Sequence, residues 1–181
     1  MVPTTLLLFT VALAAPADAP PAPAADPLVP ILFLEGRWKG QSSGEPGKGV
    51  SVREYRLELR GRYLVGRNRS VWDPKTRDAK PEVHQDMGVF SYDKAAKKIV
   101  LRQFHVEGFV NEYVLDGTSP DGKTFTFVTV RIENIGAGWR AREVYERVSQ
   151  DEVIETFSQA APGKGFETYS VTRLTRVHQQ N

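Results

Sequence analysis

From Val50 onward the chain is divided into short runs in which apolar and polar positions alternate with a period of two, and each run ends in a cluster of Gly, Pro, Asn, Asp or Ser. The runs are rich in Val, Ile, Phe, Tyr and Thr, the signature of antiparallel strands joined by hairpins. The alternation predicts strands over Val50–Leu59, Tyr63–Trp72, His84–Tyr92, Lys98–Val106, Phe109–Leu115, Thr124–Glu133, Trp139–Val148, Val153–Gln159 and Phe166–Val177. An earlier strand, Phe33–Gln41, precedes the glycine-rich turn Ser42–Gly49, and a short helical turn near Pro27–Leu34 plugs one end. The reading is all-β: a single up-and-down antiparallel barrel of about ten strands, because closure removes the exposed edges that so many successive hairpins would otherwise present.

Three strands resist a simple assignment of faces. Val50 and Val52 are out of phase with Tyr55, Leu57 and Leu59, which predicts a bulge near Arg53. In Tyr63–Trp72, Tyr63, Val65 and Val71 share a parity with Arg67 and Arg69, while Leu64 and Trp72 take the other. In Thr124–Glu133, Phe125 and Phe127 oppose Val128, Val130 and Ile132. An apolar outer wall on that strand is either covered in a homodimer or made of valines that are simply tolerated in solvent.

Phe33–Gln41 carries Gly36, Trp38 and Gly40, two glycines that permit close strand passage around a large plate. This G-x-W pattern resembles the opening strand of lipocalins and their calycin relatives. The resemblance implies a barrel closure in which a basic residue of the last strand, Arg173 or Arg176, lies across the Trp38 ring.

Composition adds a boundary to this picture. With 181 residues, 40% hydrophobic and 25% charged, the chain fits one globular domain. The formal net charge is only +2 and the basic residues are spread over many strands, so nothing calls for nucleic acid. Leu6–Ala15 has the length of a signal-peptide core and is too short to span a bilayer, giving the division 1–15 signal peptide, 16–30 disordered Pro/Ala-rich tether, 31–177 barrel and 178–181 tail. A periplasmic or secreted protein with no integral membrane segment in its mature form is expected. The absence of cysteine excludes both a disulfide and a lipid-attachment site of the lipobox type.

Two segments carry a closer resemblance. Gly36-Arg-Trp-Lys-Gly-Gln-Ser-Ser-Gly-Glu-Pro46 and His84-Gln-Asp-Met-Gly-Val-Phe90 are similar to the G-x-W-x-G-x-G-x-G and H-x-E-x-G-[YF]-[FW] runs of nitrobindin-type haem-binding-like β-barrels, over roughly Leu32–Val177. The resemblance implies haem in the lumen, ligated by a histidine of the last strand. Here Tyr169 stands at the comparable position, and a tyrosine ligand needs a cation, Arg173 or Arg142, to hold it as phenolate.

Candidate chemistry is sparse. His84 and His105 lie on strands paired as neighbours and face one cavity, with Glu107 beside them, while His178 sits in the tail. No H-x-H or H-E-x-x-H spacing supplies a third ligand, so no metal site is assigned. No G-x-S-x-G elbow, cysteine nucleophile or phosphate loop is present, so no catalytic residue is assigned either. Glu107, Glu112, Glu133, Glu143 and Glu155 fall within strands, where cross-strand pairing with Arg102, Arg131, Arg140 and Arg142 competes with the alternative of two carboxylates facing inward together. The expected function is lumenal binding of a small, largely apolar ligand, with Trp38, His84, His105, Glu107, Trp139 and Tyr169 as cavity residues. The alternatives are an enzyme using the same cup and a structural barrel filled by its own side chains.

Overall fold

A computed structural model describes residues 26–178. Residues 1–15, expected from the sequence to be a signal peptide, residues 16–25 of the expected tether and residues 179–181 of the expected tail lie outside the described residues. Ten antiparallel strands close into an up-and-down barrel: β1 (Gly36–Gly44), β2 (Gly47–Glu58), β3 (Tyr63–Trp72), β4 (Glu82–Asp93), β5 (Lys98–His105), β6 (Val110–Thr118), β7 (Thr124–Glu133), β8 (Arg140–Arg147), β9 (Glu152–Ala160) and β10 (Glu167–Arg176). Each strand pairs with its successor, and β1 pairs with β10, setting Trp38 opposite Arg176. Among the described residues no helix is long and apolar enough to cross a membrane.

The entrance to the barrel wall differs from the expected boundaries. Val29–Leu34 is a 3-10 helix with a proline in its first turn, so Phe33 and Leu34 belong to the plug and β1 begins only at Gly36. Leu28, Ile31 and Leu34 are buried in the core, so of the expected tether Leu28 is anchored in the fold while Val29 and Pro30 stay exposed. At the other end β1 runs through Ser42 to Gly44, and only Glu45-Pro46 remains of the long turn. Gly40 faces β10 so closely that a Cβ there would collide with the Arg173 carbonyl, a physical reason for glycine at that position.

Trp38 is fully buried below the lumen, its indole N–H donating to the Leu34 carbonyl at 2.7 Å. Arg176, not Arg173, lies over the ring, 4.1 Å from its centroid. Its guanidinium also donates to the carbonyls of Phe33 and Glu35, tying the last strand to the end of the plug. Arg173 points outward and pairs with Glu152.

The ambiguous faces resolve differently from expectation. β2 pairs without register shift on both sides, so there is no bulge at Arg53: Ser51, Arg53 and Tyr55 point inward and the exposed Val50 and Val52 point out. In β3 the inward set is Leu64, Asn68, Ser70 and Trp72, leaving Arg67 and Arg69 outside. The bulge occurs in β7, where Glu112 opposes Arg131 but Tyr113 opposes Thr129. Val130 is the extra residue, and the parity flips after it, turning Ile132 into the lumen rather than onto the outer wall.

Candidate functional site

The barrel is filled at its plugged end and hollow at the other. Tyr55, Phe90, Phe127 and Tyr145 pack edge-on or tilted at ring separations of 5.6–6.5 Å and fill the middle. Above them a cavity of about 480 Å³ opens toward solvent. Its mouth is lined by Trp72, Phe109, Ile132, Trp139, Phe157 and Tyr169, and its deeper wall by Arg53, Asp86, Gln103, Asn111, Glu143 and Glu155.

The polar wall is built by strand register. One row of directly opposed residues, Arg53, Asn68, Asp86 and His105, crosses β2 to β5. Beside it, hydroxyls join across four strands: Thr172 to Ser42 at 2.8 Å, Ser42 to Ser51 at 2.5 Å and Ser51 to Ser70 at 2.7 Å. Such links satisfy buried groups that would otherwise each cost about 1–3 kcal/mol.

Arg53 spans the lumen from β2 to Glu155 on β9, donating from Nε at 3.1 Å and from Nη2 at 2.9 Å to Oε2. Both side chains are less than 10% exposed. Burial alone would weaken the Arg53 charge, but Glu155, with Tyr55 and Asp86 also near, reverses this and holds the guanidinium protonated. Glu143 on β8 shares the wall and its Oε2 has no partner among the described residues. Burial, then the neighbouring Glu155 and Asp86 charges, push its pKa well above the usual carboxylate range. The arrangement is the inward-facing carboxylate pair, not the cross-strand ladder expected for these two residues; Arg102 with Glu112 does form such a rung, at 3.1 Å.

His84, Asp86 and His105 meet at the rim of this wall. His84 Nδ1 is 2.8 Å from Glu107 Oε1, and its Nε2 is 3.6 Å from Asp86 Oδ2 and 3.5 Å from His105 Nδ1. Burial would lower the His84 pKa, but the bonds to Asp86 and Glu107 outweigh it and raise it. His105, desolvated and next to His84, is lowered to about 4 and stays neutral at physiological pH. His105 also stacks on Phe109 at 4.1 Å between ring centroids.

Of the residues singled out from the sequence, His84, His105, Glu107, Trp139 and Tyr169 line the cavity. Trp38 does not; it belongs to the floor beneath. His178 is outside, 3.2 Å from Asp151. Tyr169 sits at a register irregularity of β10, its ring against Phe157. Its phenol is pushed up by burial and by Glu82, Glu45 and Glu107. Of the cations expected to offset this, Arg173 is engaged with Glu152 and Arg142 lies over the Phe166 ring at 4.8 Å. Arg53 and Asp86 carry no cavity assignment from the sequence, and of the carboxylates weighed between a ladder and an inward pair, Glu143 shares the parity of Ala141 and Tyr145 that points it inward.

No protein-family model matches the sequence, and no curated protein is recognisably similar to it. Solved structures that resemble the barrel include the following two. Rv2717c from M. tuberculosis has a TM-score of 0.60 at 15% identity, over 85% of this chain and 99% of the other. The S-type phycobiliprotein lyase CPES from Guillardia theta has a TM-score of 0.51 at 15% identity, over 84% of this chain and 94% of the other. The closed ten-strand barrel, its plugged end and these likenesses together define the fold as a lipocalin-like, calycin-type barrel.

Proposed function

We propose that this protein is an exported barrel that takes a small amphipathic molecule into its lumen, the apolar part lying among the aromatic residues of the mouth and a polar end reaching the Arg53–Glu155–Glu143 wall. The observation that carries this reading is the one-ended cavity of about 480 Å³, a volume within the usual range for small-ligand sites. The charged inner wall modifies the sequence-based expectation of a largely apolar ligand, since apolar groups pressed onto these charges would strip their hydration without replacing it. Native mass spectrometry of protein from its own host is expected to show a retained small molecule, released on denaturation. Ser170 lines the cavity, so Ser170→Trp is expected to abolish retention while leaving the fold intact. Empty wild-type protein, or equal retention by the variant, would sink the reading.

A second reading, an enzyme using the same cup, is favoured by Glu143 and Glu155 facing one cavity, with Glu155 held by Arg53 and the Glu143 carboxyl pushed up by burial and by the neighbouring charges, a setting that general acid–base chemistry uses. One of the similar barrels is named a lyase.

The nitrobindin-type resemblance proposes haem as occupant, and the surroundings of Tyr169 argue against it: its neighbouring charges are carboxylates, which oppose a phenolate. Titration with ferric haem is expected to give weak binding or none, and any complex should be lost in Tyr169→Phe. Tight binding with a histidine-type spectrum, indifferent to Tyr169→Phe and abolished by His84→Ala or His105→Ala, would relocate the ligand.

Export to the periplasm or beyond rests on the apolar segment Leu6–Ala15. N-terminal sequencing of envelope protein should begin between Ala15 and Ala25; intact Met1 recovered from the cytoplasm would refute it.

A further inference from the structure

We propose that His84, Asp86 and His105 bind a divalent first-row transition-metal ion at the rim of the lumen, with an open coordination position facing the cavity. His84 and Asp86 are two residues apart on β4 and so share its inner face, and Asp86 is directly opposite His105 on β5. The register therefore converges three ligand side chains without any local H-x-H or H-E-x-x-H motif. Their donor atoms all lie within 4.8 Å of one another. His84 Nε2 is 3.6 Å from Asp86 Oδ2 and 3.5 Å from His105 Nδ1. A tetrahedral site with bonds of about 2.0–2.2 Å has ligand–ligand edges of roughly 3.3–3.6 Å, so little movement is needed.

Each of the three groups is also held from its far side, as metal ligands are. Glu107 takes the Nδ1–H of His84 and leaves Nε2 for the ion. Asn68 donates to Asp86 Oδ1 at 2.7 Å and leaves Oδ2. The Asn111 amide nitrogen is 3.3 Å from His105 Nε2 and 2.9 Å from the Tyr113 hydroxyl, while its oxygen has no partner among the described residues. Turning that amide over puts the oxygen between the Nε2–H of His105 and the Tyr113 hydroxyl, satisfying it and leaving His105 Nδ1 with its lone pair toward the ion. Two imidazoles and one carboxylate with open positions are the ligand set of catalytic zinc and of non-haem iron(II) sites. All three residues line the cavity, so the open position faces any molecule bound there. The site shares the lumen with the proposed ligand but does not depend on it.

The test uses the metal alone. Full-length protein as isolated is stripped with a chelator and titrated at pH 7.5 with Zn²⁺ by calorimetry and with Co²⁺ by visible absorption. Saturation at about one equivalent, with the d–d bands of a site of low coordination number, is expected for an N₂O set. Asp86→Asn and His105→Gln should each weaken binding by at least ~100-fold, and Glu107→Gln by roughly 10–100-fold, because outer partners orient their ligands. Circular dichroism identifies variants that fail to fold; Asp86→Asn can still accept from Asn68 and is the variant that decides. His178→Ala should bind as wild type does. Absence of saturable binding, binding unchanged in folded Asp86→Asn, or binding lost in His178→Ala would overturn the proposal. A retained organic ligand in protein that binds no metal would sink this inference alone, and metal binding by a lumen that retains no ligand would sink only the preceding reading.

Discussion

Replacing Trp38 with alanine is expected to cost about 3–5 kcal/mol, the range for removing a large aromatic side chain from a core, and to lower the melting temperature by roughly 10 °C or more. The indole has three functions at once. It fills the floor between β1 and the plug, it donates to the Leu34 carbonyl, and it presents its face to Arg176. Arg176 is bound on its other sides by the carbonyls of Phe33, Glu35 and Gln150 and by Asp151 at 3.3 Å, so its position does not depend on the ring alone. A double-mutant cycle between Trp38→Ala and Arg176→Ala should therefore show coupling of about 0.5–2 kcal/mol, the size of a partly desolvated cation–π contact. Urea denaturation of the four proteins measures it. Arg173→Ala serves as the control, because Arg173 faces outward to Glu152 and should be additive with Trp38→Ala. Additivity with Arg176→Ala as well would mean that the ring and the guanidinium are merely neighbours.

Arg53→Met should destabilise the protein by about 3–5 kcal/mol at neutral pH, since it leaves Glu155 buried without its cation. Arg53→Met combined with Glu155→Gln should recover most of the loss, because removing both charges of a buried pair is often close to neutral. Glu143 gives the complementary test. Its folded pKa is raised above the ordinary value of 4.5, so the folded state holds the proton more tightly than the unfolded chain does. Its contribution is then fully present below the unfolded value and is lost as pH rises toward the folded one. Asp86 has the opposite sign: burial would raise it, but His84, Arg53 and His105 lower it, and its contribution is lost on acidification. Comparing Glu143→Gln with wild type isolates the first effect. The variant should be increasingly the more stable protein as pH rises from 5 to 9, read from denaturation midpoints at fixed salt. A difference independent of pH would show that Glu143 titrates in the fold as it does in the open chain.

The barrel, its meander order and its plug were legible because period-two alternation and turn chemistry are local, and each hairpin carries its own signal within a few residues. Trp38 and a basic closing strand were legible for the same reason, but the choice of Arg176 over Arg173 was not. It depends on a registration between residues far apart in sequence, Trp38 opposite Arg176, which no local pattern encodes. The faces of β2 and β7 show how one residue of slip misleads: a bulge assumed at Arg53 hid the inward guanidinium, and the bulge at Val130 hid the inward Ile132.

The same distinction separates the wall chemistry from the residues that compose it. Composition and spacing supplied His84, His105 and a set of carboxylates, and alternation placed Glu143 on the parity of Ala141 and Tyr145. Only closure of the barrel brought Arg53 of β2 across the lumen to Glu155 of β9, and only the pairing of β4 with β5 set Asp86 against His105. A strand determines by itself which of its side chains share a face, because that follows from the backbone pleat. Which of those faces meet, and at what distance, is fixed by interstrand register and by the curvature of a closed sheet, quantities that exist only once all ten strands are in place.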